Sequence, residues 1–185
     1  MYLKSLLTAI LFSSSALYAA QTLDAKQWRY AVDPHGSTAS YEKPLVKEEY
    51  VGIAFNRVPR VDAQNNSWVE LIYDLPKKSL NGINSIELTY QSDKPLVVKL
   101  SQKDYGGKGD KSYAHYQALL PSANKWQTHT LTFDNFNRPE WTPSWSKDKG
   151  IIKANVSALY LVPDLTDEKG GKAWLKIKNI KLNQE

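Results

Sequence analysis

The residues able to do chemistry are few and scattered. Histidines 35, 115 and 129 fall in separate segments, and no pair has the i, i+4 spacing that sets two imidazoles on one helix face around zinc. The chain contains no cysteine, which excludes thiol nucleophiles, thiolate-held metals and disulfides together. Neither Gly-x-Ser-x-Gly nor Gly-x-x-x-x-Gly-Lys-Ser/Thr occurs, so hydrolases built on a nucleophile elbow and enzymes built on that phosphate cradle are excluded as well. Glycoside cleavage needs two carboxylates facing one another across the scissile bond. Glu70 and Glu87 lie inside strand-like segments but in no dense acidic motif, and both read as solvated strand residues. Tyr113, His115 and Gln117 would suit a base acting on a uronate, yet such a site wants arginine beside them. Arg29, Arg57, Arg60 and Arg138 all lie in other segments. No catalytic set is assembled, and the expected catalytic residues are none.

The aromatic residues carry more information: 6 Trp, 11 Tyr and 4 Phe make up 11% of 185 residues. Sugars offer C–H patches to aromatic faces and hydroxyls to polar side chains, so exposed Trp or Tyr beside Gln, His, Lys and Glu suits glycan recognition. Trp141 and Trp145 lie in a proline-bounded loop, Asn137-Arg138-Pro139-Glu140-Trp141-Thr142-Pro143-Ser144-Trp145, where one of them could instead cap the core. Trp28, Trp68, Trp126 and Trp174 lie in or beside strands and read first as core or rim.

The elements that must position these groups are strands. No window keeps an apolar i, i+3, i+4, i+7 pattern for three turns, whereas short alternating runs recur between turn clusters such as Asp33-Pro34-His35-Gly36 and Ser92-Asp93-Lys94-Pro95. Strands are predicted at Gln27–Val32, Tyr50–Asn56, Ser67–Leu75, Ile83–Gln91, Leu96–Gln102, Tyr113–Leu120, Gln127–Phe133, Val156–Val162 and Trp174–Leu182. Nine strands in one domain predict an all-β fold, an antiparallel β-sandwich of jelly-roll type. Alternation predicts Ile86, Leu88 and Tyr90 inward with Glu87 outward, and Leu96, Val98 and Leu100 inward with Lys99 outward. It also predicts Tyr113, His115 and Gln117 on one face with Ala114, Tyr116 and Ala118 on the other.

Residues 1–19 have the build of a secretory signal peptide: Lys4, an apolar run from Leu6 to Phe12, then small residues before cleavage after Ala19 or, as the alternative, Ala20. That run is too short for a bilayer core of about 30 Å. The expected location is secreted or periplasmic, with no membrane insertion after cleavage. The formal charge of +5 comes from dispersed Lys and Arg rather than basic clusters, so no nucleic-acid partner is expected.

The stretch Gly82–Asp93, then Leu96–Leu100, His115–Pro121, Trp126, Phe133–Phe136, Pro139–Trp141 and Trp174–Leu182 resembles the jelly-roll carbohydrate-binding modules of bacterial cellulases and related plant-wall enzymes. These belong to the galactose-binding-like class that includes family eleven. The resemblance implies non-catalytic binding of a polysaccharide or oligosaccharide on the polar-aromatic face of one sheet. It departs at Lys178, where such modules carry an acidic residue that would help hold a structural calcium, so no metal and no cofactor are expected. Modules of this kind are appended to a catalytic domain by a linker, whereas this chain ends at Glu185, just past the last predicted strand. The expected binding residues are Glu87, Lys99, Tyr113, His115, Gln117 and Trp141, with Tyr113 and Trp141 stacking on sugar rings. Two alternatives use the same sandwich: a small secreted lyase or glycoside hydrolase acting on that face, and an adaptor that binds another protein.

Overall fold

The computed structural model describes residues 23–184, so the expected signal peptide lies outside the described residues. Ten antiparallel strands form two five-stranded sheets. Sheet A has the order β1(Trp28–Val32), β4(Val69–Asp74), β9(Val156–Pro163), β6(Leu96–Gln102), β7(Gln117–Leu120). Sheet B has the order β2(Thr38–Ser40), β3(Val51–Arg57), β10(Gly171–Gln184), β5(Ile83–Ser92), β8(Ala123–Thr132). The only helices among the described residues are short 3-10 turns. The chain passes repeatedly from one sheet to the other, and the inner faces meet in an antiparallel sandwich of jelly-roll type.

The alternation read from the sequence sets which side chains meet. Ile86, Leu88 and Tyr90 of β5 and Leu96, Val98 and Leu100 of β6 all join the core, together with Leu71 of β4, Leu159 and Leu161 of β9, and Leu175 and Ile177 of β10. Tyr90 is fully buried, and its hydroxyl donates to the Pro121 carbonyl at 2.6 Å, so its one polar atom is satisfied. In β10 a bulge opens between Ile177 and Asn179, opposite Tyr90 and Thr89 of β5. The extra residue, Lys178, shifts the phase of the strand so that Ile180 again points inward after Ile177.

One strand is additional to those predicted and one predicted strand differs. The addition is β2, whose three residues are too few for an alternating pattern to register. The predicted strand Tyr113–Leu120 survives only as β7, Gln117–Leu120. Tyr113 takes a left-handed φ of 55°, and the His115 N–H donates to the Tyr113 carbonyl at 2.9 Å, which closes a tight turn and breaks the pleat. Residues 113–116 therefore do not alternate.

Candidate functional site

The outward face of sheet A is a polar surface with a buried floor. Across its middle the register aligns Gln117 of β7, Lys99 of β6, Tyr160 of β9, Ile72 of β4 and Arg29 of β1. At about 4.8 Å per strand this row is roughly 19 Å long. Ile72 points away from the sandwich interior yet is only 2% exposed, so its neighbours wall it in. One step along, Glu70 occupies the same face with its side chain 15% exposed and Oε1 3.7 Å from Lys99 Nζ. Burial raises the Glu70 carboxyl above its ordinary range, while Lys99 and Arg29 pull in the opposite direction. The Asp74 carboxylate receives Arg29 Nε at 2.8 Å and Lys78 Nζ at 2.9 Å. The charges on this face are thus paired with one another.

His115 closes the β7 end. It is 5% exposed, lies edge-on to the Tyr160 ring at 5.7 Å, and accepts the Gln102 backbone N–H at Nδ1 (3.3 Å). Burial, reinforced by the Lys99 charge, pushes its pKa down to about 4, so the ring is neutral at physiological pH. With Nδ1 engaged as an acceptor, the hydrogen-bond network assigns the proton to Nε2.

Two loops rise beyond β6 and β7, residues 103–116 and 137–150. Asn137 and Gln117 exchange both backbone hydrogen bonds, which lays the second loop along the free edge of β7. Arg138 Nη2 donates to Ser146 Oγ at 2.8 Å, and that hydroxyl donates to Asp110 Oδ2 at 2.5 Å, latching one loop to the other. The Arg138 guanidinium also lies 4.7 Å from the centre of the buried Tyr105 ring, and the Tyr116 hydroxyl donates to Asp148 at 2.5 Å. Gly109 allows the first loop its tight fold, since a Cβ there would lie 2.3 Å from the Asp104 carbonyl oxygen. The latched pair presents Tyr113 and Trp141, each 58% exposed, and Trp145.

Of the residues expected to bind, Lys99, His115 and Gln117 come together on sheet A, with Tyr113 and Trp141 on the latched loops. His115 is an inset neutral group rather than a member of an exposed stripe, because the turn at Tyr113 folds it inward. Lys99 is engaged with Glu70. Glu87 lies elsewhere: it faces outward from sheet B, opposite Thr130 and Lys181, and the thickness of the sandwich separates it from the others. Tyr116 is half-buried and bonded to Asp148 rather than wholly in the core. Both Trp141 and Trp145 are exposed, so neither caps the core. Sequence reasoning missed Tyr160, Arg29 and Asp74, and took Glu70 for a solvated residue. The signal for Tyr160 was present, since alternation sets it opposite Leu159 and Leu161. Trp28 is core as expected, but Trp126 and Trp174 lie on the outward face of sheet B.

No family model matches the sequence, and no curated protein matches it. Solved structures do match. A family 11 carbohydrate-binding module from Clostridium thermocellum, in complex with a β-1,3-1,4-mixed-linked tetrasaccharide, aligns over 88% of this chain and 94% of its own at 17% identity, with a TM-score of 0.61. The fold is that of the family 11 modules. The family 11 module of a cellulosomal cellulase of the same organism aligns over 89% of this chain and 94% of its own, at 15% identity and a TM-score of 0.59. A solution structure of a family 11 module aligns over 92% of this chain and 98% of its own, at 16% identity and a TM-score of 0.56. The family 11 likeness therefore spans nearly all of the described chain. At these identities it is a likeness of fold.

Proposed function

We propose that this protein is a secreted, non-catalytic carbohydrate-binding protein that holds a polysaccharide or oligosaccharide on the outward face of sheet A, bounded by the two latched loops. The observation that carries the reading is the internally paired charge of that face. Arg29 and Lys78 with Asp74, and Lys99 with Glu70, offer donors and acceptors at fixed positions with each charge already partnered, which suits neutral hydroxyls, while Tyr160, Tyr113 and Trp141 offer ring surface. His115 supports binding over cleavage. Its Nδ1 lone pair accepts a backbone N–H and its other nitrogen carries the proton, so it can donate to a hydroxyl but has no free lone pair to act as a base. Glu70 and Asp74 are each tied to cations rather than poised across a bond. Export through the segment 1–19 fits this role, and the mass of the processed chain recovered outside the cytoplasm tests it.

The test is affinity electrophoresis of the mature chain in gels holding neutral glucans, with mixed-linked β-glucan first, alongside an assay for reducing ends and unsaturated products. Saturable retardation without product is the expected result. Steady product release would move the site to the lyase or hydrolase reading, and absence of retardation by any glycan would overturn the proposal.

A further inference from the structure

The opposite side of the sandwich carries a second groove of different charge. On the outward face of sheet B, an open groove of about 440 Å³ runs over β3 and β10, floored by Gly52 and Ala54 and flanked by Tyr50, Trp174 and Lys176. Gly52 makes room for the Tyr50 ring: a Cβ there would lie 2.9 Å from Tyr50 Cε2 and would push the ring away from its place against the sheet. Trp126 of β8 extends the aromatic surface, its ring centre 6.2 Å from that of Tyr50.

Ammonium groups are interleaved with these rings. Lys176 Nζ lies 5.0 Å from the Tyr50 ring centre and 5.9 Å from that of Trp174, and Lys178 Nζ lies 5.7 Å from that of Trp126. Lys178, two residues after Lys176, shares its outward face by ordinary strand alternation, and the bulge that follows returns Ile180 to the core. Among the described residues no carboxylate lies within ion-pair distance of Lys176 or Lys178, in contrast to the paired charges of sheet A. With each ammonium lying against a ring face, a ligand that carries both an anionic group and C–H surface can meet ammonium and ring together. A neutral sugar would leave these ammoniums unanswered.

We propose that this groove is a second binding site, for an acidic polysaccharide whose uronate carboxylates pair with Lys176 and Lys178 while the pyranose C–H faces pack on Trp174, Tyr50 and Trp126. The choice of a glycan as the polymer rests on the carbohydrate-binding reading above; the choice of an acidic one rests on the unpaired lysines.

The experiment is affinity electrophoresis in polygalacturonate with the wild-type chain, the double variant Lys176→Gln/Lys178→Gln, and Trp174→Ala. Mixed-linked β-glucan, dextran sulfate and oligo(dT) serve as comparison polymers, and thermal unfolding monitors the fold. Polygalacturonate should retard the wild type, and the lysine variant should bind it about tenfold more weakly while unfolding at the wild-type temperature and keeping its binding to β-glucan. Should Trp174→Ala fail to fold, the lysine variant still decides. Retardation by β-glucan with none by polygalacturonate overturns this site and leaves the sheet A reading standing; lysine-dependent retardation by polygalacturonate with none by any neutral glucan does the reverse. Binding to dextran sulfate or oligo(dT) as strong as to polygalacturonate would mean that the lysines recognise charge alone, and would overturn the proposal of an acidic glycan.

Discussion

The imidazole of His115 makes stability at this end of the sandwich depend on pH. In the unfolded chain it takes up a proton near pH 6.5, whereas in the folded chain burial delays protonation to about pH 4. Because the unfolded state binds more protons through that window, stability is fully present above it and falls as the pH drops from about 6.5 to 4, by on the order of 3 kcal/mol. The unfolding midpoint should fall across this range, and His115→Gln should flatten the dependence. Lys99 gives a prediction of opposite sign. It is the nearest cation to a carboxylate that burial already raises, so Lys99→Ala leaves Glu70 largely buried and unpaired and should cost about 1–3 kcal/mol at neutral pH. That loss should shrink as the pH is lowered and Glu70 is protonated, which thermal melts at two pH values will read. For the ring surface, Trp141→Ala removes an exposed side chain and should leave the midpoint unchanged. Its effect on neutral-glycan affinity should be about 1 kcal/mol, several-fold in Kd, read by affinity electrophoresis.

At the scale of elements, the bulge in β10 sets which residues of the strand reach the core beyond Ile177. If Lys178 and Asn179 followed a regular pleat, strict alternation after Ile177 would turn Ile180 toward water; with the bulge absorbing Lys178, Ile180 is inward. Deleting Lys178 therefore converts the bulge to a regular strand that still buries Ile177 and Ile180. The deletion variant should fold with a modest drop in midpoint while losing one lysine of the groove. Deleting Leu88 from β5, by contrast, inverts the faces of the residues beyond it and should abolish cooperative unfolding. Circular dichroism during heating distinguishes the two. The loop latch is a second such device: Arg138, Ser146 and Asp110 fix how Tyr113 and Trp141 are presented, although none of the three lies in a strand.

For the whole molecule, the last two strands in the chain, β9 and β10, occupy the centres of the two sheets, and most strand neighbours are far apart in sequence. Sheet A lacks its centre until β9 is in place and sheet B until β10, so truncation before Gly171, which splits sheet B and uncovers the core, should leave no cooperative transition, a loss that calorimetry would register. The sandwich itself was legible from sequence because alternation has a physical cause. Ile86, Leu88, Tyr90, Leu96, Val98 and Leu100 can be buried together only if their strands are pleated, and the turn residues between runs mark where the pleat stops. The separate placement of Glu87 was not legible, since alternation tells which residues face outward but not from which sheet. That depends on strand order, which long-range packing decides. Nor could alternation reach His115, where a left-handed residue at Tyr113 ends the strand early. The rings of Tyr160, Trp126 and Trp174 were visible as types in the sequence, but their grouping on two opposite faces was not. Local residue chemistry determined that this chain is a β-sandwich rich in aromatic and polar surface; the tertiary structure alone decided which of those groups share a face and which charges are paired, because neighbours across strands are chosen by the whole core and not by the sequence around each residue.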